Sequence, residues 1–310
     1  MGKIKALFSG DDSQQLQKKG YNITGDLGEG TYSKVKQATW TRPGEPNPNP
    51  NPVKVALKII NKKTAPKDFL EKFLPREIEI MKKVKHPNLI RLYELFQISS
   101  KLYFALEWGG HGDLLQYIRL RGPVKDSECR RFFQEMCAGV EYMHENGMVH
   151  RDLKCENILL SKKNSIKIAD FGFARDISTG DLSKTYCGSA AYAAPELLQG
   201  IPYKGPIADV WSLGVILYIM ACSSMPFRDS NIKMLLLDQK EPLHIPSSLV
   251  NAFNPVLKDL LCKILCVDLT QRYGIPEIRT HQWFLKKSSS SQIAGSSSGR
   301  NVAEESSSKN

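Results

Sequence analysis

The sequence contains no C-x-x-C cysteine pair, no internal repeat and no apolar run long enough to cross a bilayer. Its seven cysteines are scattered and odd in number, which argues against a disulfide framework or a zinc site and favours a reducing compartment. The longest apolar stretch, Val210–Cys222, is interrupted by Ser212 and predicts a buried core helix. The first residues are polar and lack the apolar segment of a signal peptide. We therefore expect a cytoplasmic protein without membrane contact.

The overall composition is that of an ordinary globular protein. Of 310 residues, 41% are hydrophobic and 24% are charged, which excludes wholesale disorder and fibrous classes. The 43 Lys and Arg residues exceed the 32 Asp and Glu residues, giving a net charge of +11. A basic excess is compatible with nucleic acid, anionic lipid or phosphate ligands, so charge alone selects no class of partner.

The periodicity of apolar residues divides the chain into a β-rich part, about residues 21–108, and a mainly helical part, about residues 109–285. This order predicts an α+β protein with two lobes. The predicted strands and helices are Tyr21–Leu27, Val35–Trp40, Val53–Ile60, Leu89–Gln97 and Lys101–Trp108, and Phe69–Lys83, Leu114–Leu120, Cys129–Asn146 and Asp209–Cys222.

Three segments are expected to lie outside this core. Residues 1–20 are polar and predict a flexible leader, and the Ser-rich residues 286–310 predict a disordered tail. Thr41–Pro52 has five prolines in twelve residues, so it cannot form ladder hydrogen bonds and predicts an exposed loop between two strands.

Two glycines, Gly28 and Gly30, follow the first predicted strand. Glycines at this spacing allow backbone N–H groups to approach phosphate oxygens that a Cβ would block. A dinucleotide-binding fingerprint would need a helix directly afterwards, and Val35–Trp40 has the pattern of a strand instead. A plain hairpin without a ligand is the alternative interpretation.

Lys58 lies in the apolar strand Val53–Ile60, where a lysine is unfavourable unless it is paired. Glu77, in the predicted helix Phe69–Lys83, is a suitable partner. A lysine held in this way directs a compact positive charge at a polyphosphate. The alternative is a solvated lysine on an edge strand.

The most specific pattern is the turn His150–Asn157, which combines a candidate base, two cations and an amide. Asp170, in the sequence Asp170-Phe171-Gly172, follows Asn157 by thirteen residues, a separation that one hairpin can span. Amide and carboxylate oxygens suit Mg²⁺, which prefers few protein ligands together with phosphate oxygens. Each piece alone has an ordinary structural explanation, but the pieces in this order do not.

Together these residues resemble the eukaryotic protein kinase family over about residues 21–285. The residues that carry the resemblance are Gly28, Gly30, Lys58, Glu77, the His150–Asn157 turn, Asp170–Gly172 and Ala194-Pro195-Glu196. The segments Phe73–Ile78, Thr185–Ser189 and Tyr192–Glu196 are similar to the calmodulin-kinase-like group. Asp68–Ile80, Leu197–Tyr203 and Trp211–Met225 resemble testis-specific serine/threonine kinases, which suggests a role in spermatogenesis.

The resemblance implies a bilobal enzyme that transfers the γ-phosphate of Mg-ATP to serine or threonine. It implies that Asp152 accepts or orients the substrate hydroxyl proton and that Lys154 neutralises charge on the transferred group. Asn157 and Asp170 are the implied metal ligands, and Ser189 is expected to bridge Asp152 and Lys154.

The resemblance also implies an ATP site, with Leu106 as gatekeeper, hinge backbone groups at the adenine and Asp113 at the ribose. For the apolar members Val35, Ala56 and Leu159, ordinary core packing is the alternative. The implied ATP-binding residues are Leu27, Gly28, Gly30, Val35, Ala56, Lys58, Glu77, Leu106, Glu107, Gly109, Asp113, Leu159 and Asp170.

Regulation is implied at Thr185, which matches the usual phosphorylation site, and at Arg151, the cation beside Asp152. Asp209 is expected to brace the backbone of the His150 turn, and Glu196 is expected to pair with Arg272.

Substrate choice is predicted from Asp113 and Glu156, which match positions that meet an arginine three residues before the acceptor. Kinases that prefer basic substrates have a second acidic position, which is occupied by Ile219 here. Little preference for a basic residue at minus two is therefore expected.

The expected partners are protein substrates with Ser or Thr acceptors and an upstream activating kinase. Neither nucleic acid nor membrane is expected, and the chain is expected to be a monomer. Two rival interpretations stay open: a pseudokinase scaffold without turnover, and a basic nucleic-acid-binding module. The second needs aromatic platforms among basic residues, whereas Phe132, Phe133, Trp211 and Phe227 lie in helical core patterns.

Overall fold

The first lobe is built on a five-stranded antiparallel sheet with strand order β1-β2-β3-β5-β4. The computed structural model describes residues 10–42, 52–177 and 188–286. The strands are β1 (Tyr21–Glu29), β2 (Ser33–Trp40), β3 (Val53–Asn61), β4 (Leu92–Ile98) and β5 (Lys101–Glu107). Predicted strand Leu89–Gln97 begins three residues late, because Leu89 forms a separate bridge to Ile168 in the second lobe.

Alternation along β3 explains how Lys58 reaches the space between the lobes. Val55, Leu57 and Ile59 pack into an aromatic cluster on the outer face of the sheet. Ala56 and Ile60 face the other way, into the main core shared with the second lobe. Because strand side chains alternate, Lys58 lies on the same face as Ala56 and Ile60.

The prediction of a flexible leader is wrong for residues 10–18. Helix α1 (Gly10–Lys18) packs on the sheet, with Leu16 only 3% exposed in the aromatic cluster. The buried carboxylate of Asp12 accepts hydrogen bonds from Ser99 Oγ at 2.8 Å and Lys101 Nζ at 2.7 Å. The segment is polar, yet one apolar residue and one buried ion pair are enough to anchor it to the sheet.

The helix predicted over Phe69–Lys83 is divided. Phe69–Phe73 forms a single π-helical turn without buried residues, and α2 (Leu74–Lys83) follows with Pro75 in its first turn. Proline suits this position because the first N–H groups of a helix have no intrahelical partner. Glu77 and Ile80 lie on the buried face of α2.

The second lobe is mainly helical around α6, whose residues are nearly all buried. Helix α6 begins at Gly205, four residues before the predicted Asp209, with Pro206 in its first turn. The helices are α3 (Leu114–Arg121), α4 (Asp126–Glu145), α5 (Pro195–Leu198), α6 (Gly205–Cys222), α7 (Ile232–Asp238), α8 (Pro255–Ile264), α9 (Ile275–Thr280) and α10 (Gln282–Leu285).

Within the described ranges, α6 is the one helix long and apolar enough to span a membrane, and 78% of it is buried inside the protein. Its place in the core confirms the predicted core helix.

Two short antiparallel pairs carry the catalytic turns of the second lobe. Strand β6 (Met148–Val149) pairs with β9 (Arg175–Asp176), and β7 (Ile158–Leu160) pairs with β8 (Ile166–Ile168). The turn at His150 leaves β6, and the turn at Asp170 leaves β8. The predicted hairpin between Asn157 and Asp170 is therefore present.

Candidate active site

Lys58 joins three segments at the interface of the lobes. Its Nζ donates to Glu77 Oε1 at 2.6 Å and lies 3.4 Å from Asp170 Oδ1. The side chain of Lys58 is 15% exposed and that of Glu77 is 2% exposed, whereas 49% of the Asp170 side chain is open to solvent. The arrangement predicted for Lys58 and Glu77 is confirmed, and Asp170 keeps an exposed carboxylate beside them.

The charges of this cluster are stabilised by one another. Burial by itself lowers the pKa of Lys58, but the carboxylates of Glu77 and Asp170 outweigh burial and raise that pKa above its usual value. Burial likewise favours a neutral Asp170, and the nearby charge of Lys58 reverses this, so the pKa of Asp170 is lowered. Both groups are therefore charged near neutral pH.

Asp152 is the centre of a second cluster, and its carboxylate is only 3% exposed. Lys154 Nζ donates to Asp152 Oδ2 at 2.8 Å, and Asn157 Nδ2 donates to the same oxygen at 3.1 Å. The backbone N–H of Ser189 donates to Oδ1 at 3.2 Å, while Ser189 Oγ accepts from Lys154 Nζ at 3.3 Å. The predicted bridge by Ser189 is thus present, and the carboxylate is held in one orientation.

His150 connects the two catalytic turns and is completely buried. Its Nδ1 accepts from the Asp152 N–H at 3.3 Å, and its Nε2 lies 3.2 Å from the Ala169 carbonyl oxygen. The Ala169 N–H in turn donates to the Asn157 carbonyl at 2.8 Å. The residue before Asp170 is therefore fixed to the turn that carries Asp152.

The brace predicted for Asp209 is present, and it includes a residue that sequence reasoning missed. Asp209 Oδ2 accepts from the His150 N–H at 2.9 Å and also lies 2.9 Å from His144 Nε2, and Asp209 Oδ1 accepts from the Arg151 N–H at 2.8 Å. Burial favours a neutral Asp209, but the hydrogen bonds and charges of His144 and His150 together outweigh burial and lower the pKa of Asp209. No local signal marks His144, which lies inside the long helix α4.

Two of the five described non-glycine residues with positive φ lie at these turns. Arg151 has φ of 69° and Asp170 has φ of 63°, both in the left-handed region that residues with a Cβ seldom adopt. Such conformations persist only where surrounding bonds enforce them, and they are common at active sites. The Arg151 N–H is held by Asp209, which supplies that constraint on one side.

The predicted phosphate loop is a bulged hairpin between β1 and β2, with Gly28 opposite Val35. A Cβ built on Gly28 would project into open space, and one on Gly30 would meet only Ser33 Oγ at 3.0 Å. The loop therefore borders free volume of the kind that a phosphate chain could fill. Leu27 is 44% exposed at the entrance.

The predicted adenine-site residues lie on both lobes. Ala56 and Leu106 are buried and paired across β3 and β5, and Val35 and Leu159 pack partly buried against the same core. Gly109 is required because a Cβ there would lie 2.8 Å from Leu159. The N–H of Gly109 donates no hydrogen bond within the described residues, so this buried hinge donor is available to a ligand.

Two other predicted ligand residues have structural partners. Asp113 caps α3, because its Oδ1 accepts from the Gln116 N–H at 2.8 Å. The hinge residue Glu107 pairs with Lys167 at 2.7 Å, and its N–H donates to the Arg91 carbonyl at 2.8 Å. The N–H of Glu107 is therefore already used, and only other hinge backbone groups can meet an adenine.

Glu156 lies one residue before Asn157 and is exposed, and its Oε2 accepts from Tyr192 OH at 3.3 Å. Burial raises the pKa of Cys155 to about 12, and the carboxylates of Glu156 and Asp113 act in the same direction. The backbone of Asp113 forms an isolated bridge with Leu159, three residues after Glu156, so both acids predicted to select the substrate lie near the start of β7.

The predicted pair of Glu196 and Arg272 is a buried, bidentate ion pair. Arg272 Nη1 and Nη2 donate to the two carboxylate oxygens at 2.7 and 3.0 Å, and Nε donates to the Cys266 carbonyl at 2.7 Å. This pair fixes the segment after Ser189 to the loop between α8 and α9. The predicted phosphorylation site Thr185 lies outside the described residues, as do most of the loop Thr41–Pro52 and residues 287–310.

The donor set near Asp170 suits Mg²⁺. Asn157 commits its amide nitrogen to the carbonyl and the carboxylate of Asp152, at 2.8 and 3.1 Å, and its amide oxygen accepts no bond from the described residues. The Asp170 carboxylate is an exposed, charged oxygen donor on the adjoining turn. Hard oxygen atoms from one amide and one carboxylate, with room for phosphate oxygens, are what this cation prefers.

Comparisons with known proteins agree with this geometry. The model of the protein kinase domain family matches residues 21–284. Testis-specific serine/threonine-protein kinase 1 from Mus musculus is 47% identical over 284 residues, covering 89% of this chain and 75% of the relative. Testis-specific serine/threonine-protein kinase 3 from the same species is 41% identical over 271 residues, covering 86% of this chain and 97% of the relative.

A plant relative extends the same similarity. Serine/threonine protein kinase OSK3 from Oryza sativa is 42% identical over 267 residues, which cover 86% of this chain and 50% of the relative. The family match spans both lobes and every catalytic turn described above. The chain belongs to the protein kinase family and is an ATP-dependent serine/threonine protein kinase.

Proposed function

We propose that Asp152 orients the hydroxyl of a protein serine or threonine and accepts its proton at a carboxylate oxygen. The observation that carries this proposal is the fixation of the Asp152 carboxylate by Lys154, Asn157 and the Ser189 N–H. A base held in one orientation lowers the entropic barrier of the attack, and proton removal adds to the rate.

In this proposal the remaining polar groups provide charge. Lys58, held by Glu77, binds phosphate oxygens of ATP, and Lys154 stabilises the negative charge that develops on the transferred group. Asn157 and Asp170 would hold Mg²⁺, which supplies charge neutralisation when it is bound. Val35, Ala56, Leu106 and Leu159 exclude water around the adenine.

We expect Lys58→Met to abolish the thermal stabilisation of the protein by Mg-ATP. The substitution removes the charge that meets the phosphates, and it leaves Glu77 buried without a partner, so the ligand-free protein also becomes less stable. The measurement is the shift in melting temperature on adding Mg-ATP to each variant.

Lys101→Met is a matched control for this test. Lys101 is 14% exposed and pairs with a 3% exposed carboxylate, Asp12, in the same sheet but outside the cleft. Lys101→Met removes an ion pair that is buried to the same extent, so a similar drop in melting temperature is expected. The rise in melting temperature on adding Mg-ATP should be retained. A normal Mg-ATP shift in Lys58→Met would contradict the assigned role.

The melting assay combined with a phosphate-transfer assay on degenerate peptides separates an active kinase from a pseudokinase scaffold. A scaffold with this fold has no need of Lys58, Asp152, Asn157 and Asp170 together, because none of them is required to present a surface. A wild-type chain that binds nucleotide but transfers no phosphate to any degenerate peptide would favour the scaffold.

The proposed substrate class has arginine three residues before the acceptor, with little demand at minus two. Glu156 is exposed in the catalytic turn, and Asp113 is bridged through its backbone to Leu159, three residues further along the chain. Two acids from different elements therefore lie near the same turn and would attract a guanidinium. Ile219 is 3% exposed within α6 and offers no second acidic group.

We expect kcat/KM to fall about tenfold when arginine at minus three is replaced by alanine, as for loss of one charge-assisted contact. In Glu156→Gln the discrimination between the two peptides should shrink to a few-fold, while Glu145→Gln, an exposed acid at the end of α4, should leave it unchanged. A preference for acidic or proline-flanked acceptors would overturn the proposal.

Activation by phosphate on Thr185, action in the cytoplasm and a role in spermatogenesis remain parts of this proposal. They are supported by the resemblance of the Thr185 segment and by the testis-specific relatives.

A further inference from the structure

A groove of about 920 Å³ runs along the hinge between the lobes. It is bordered by Pro52 and Lys54 of the first lobe, by Trp108 of the hinge, and by the turn between β7 and β8 in the second lobe. We call it the hinge groove. It shares only Glu107 with the residues assigned to ATP binding, so the established activity does not account for it.

The hinge groove is strongly basic. Lys54, Lys162, Lys163 and Lys167 line it, and its single carboxylate, Glu107, is already paired with Lys167 at 2.7 Å. Within the described residues, the ammonium groups of the other three lysines have no carboxylate at ion-pair distance. As far as the described residues show, the groove therefore carries an excess of positive charge.

An adjoining cavity of about 430 Å³ extends this charge. It shares Tyr93 and Lys167 with the hinge groove and adds Lys85 and Arg91 without another carboxylate. Part of the net charge of +11 is thus concentrated on one surface that spans both lobes.

Trp108 holds two of the lysines in place. Lys54 Nζ lies 4.8 Å and Lys162 Nζ lies 5.3 Å from the centre of its ring, and the two lysines come from different lobes. Cation–π contacts of this kind restrict flexible side chains before a ligand arrives. Less conformational entropy is then lost on binding, which favours affinity.

The two aromatic rings in the groove are poor platforms for nucleic-acid bases. Trp108 already contacts two ammonium groups, and Tyr93 contacts the guanidinium of Arg91 at 5.7 Å and the ring of Trp40 at 5.9 Å. Single-strand binding depends on open aromatic faces. Positive charge between proline and aromatic walls instead suits carboxylate side chains on an extended peptide.

We propose that the hinge groove binds an acidic, extended segment of a partner protein. The carboxylates of the segment pair with Lys54, Lys162 and Lys163, and its apolar side chains contact Pro52 and the exposed edge of Trp108. Because the groove lies outside the ATP-binding residues except for Glu107, the segment can bind in the absence of nucleotide. Charge complementarity determines the chemistry of the partner.

The test is fluorescence anisotropy of a labelled peptide that alternates glutamate with alanine around a central leucine, added to the full chain without nucleotide. In the double variant Lys162→Glu with Lys163→Glu, affinity is expected to fall at least about tenfold, because two attractive charges become repulsive. A peptide with lysine in place of each glutamate should bind this variant more tightly than it binds the wild type.

The matched control is Lys240→Glu with Lys258→Glu, two exposed lysines outside the groove, which changes the net charge by the same amount. This control should alter affinity by less than about twofold, because distant charges are screened. Equal losses in both variants, or no binding to the wild type, would overturn the proposal. Melting temperatures verify that each variant is folded. If the glutamate variant is unfolded, the double variant Lys162→Ala with Lys163→Ala replaces it, and this variant must also bind the peptide more weakly than the wild type does.

A second probe distinguishes the alternative occupant. Single-stranded oligothymidylate of equal charge is measured against the same variants. Tighter binding of the oligonucleotide than of the peptide, lost in the groove variant, would replace the peptide with nucleic acid and contradict the proposal. Because these measurements need no catalysis, they stand or fall separately from the proposed catalytic roles.

Discussion

Asp152→Asn is expected to lower kcat by about a thousandfold while leaving the binding of Mg-ATP intact, because it removes the base but no phosphate contact. The amide has the shape of the carboxylate but neither its charge nor its ability to accept a proton. The measurement is transfer of labelled phosphate to saturating peptide, together with the Mg-ATP shift in melting temperature.

The substitution also replaces one acceptor oxygen with an NH₂ group. This new donor faces another donor, which is Lys154 Nζ, Asn157 Nδ2 or the Ser189 N–H. A modest fall in melting temperature is therefore expected. Glu156→Gln is the control. The Glu156 carboxylate lies in the same turn as Asp152 but makes no contact with it. The kcat of Glu156→Gln on saturating peptide should remain within about threefold of the wild type. Turnover of Asp152→Asn near the wild-type level would disprove the role of Asp152.

Arg272→Met is expected to destabilise the protein by about 3–5 kcal/mol, because it leaves Glu196 charged and buried without its partner. The guanidinium is completely buried and donates to both carboxylate oxygens and to the Cys266 carbonyl. The measurement is urea denaturation, with an expected fall of the midpoint and little change of slope.

Two further variants show whether the buried charge is the cause. Arg272→Met combined with Glu196→Leu should recover much of the lost stability, because no unpaired charge remains. Arg228→Met breaks an exposed pair with Asp238, joined by hydrogen bonds of 2.8 and 3.1 Å, and should change the midpoint little. If the double variant were as unstable as Arg272→Met, packing rather than charge would explain the effect.

The catalytic turns were predictable because their chemistry is local. Asp152, Lys154 and Asn157 lie within six consecutive residues, so the turn that joins them brings them together in any fold that contains it. The prediction for Lys58 also succeeded, since a lysine on a buried strand needs an acid and Glu77 lay on the next amphipathic helix.

The sequence was a poorer guide where a contact depends on distant segments. Helix α1 looked like a polar leader because its anchor, Asp12, needs Lys101 of β5 to be buried favourably. His144 looked like any polar residue of a long helix until α6 placed Asp209 beside it. Asp113 was assigned to the ribose, and the structure places one of its oxygens on the first turn of α3.

The family, the two-lobed α+β plan and the chemical groups of the active site follow from the amino-acid sequence, because alternation along strands and short motifs encode them locally. The contacts between remote segments follow only from the folded chain: His150 joins the two catalytic turns, and Lys54 and Lys162 from opposite lobes converge on Trp108. The strength of an ion pair or a cation–π contact depends on distance and on burial, and both are set for remote segments only once the chain has folded.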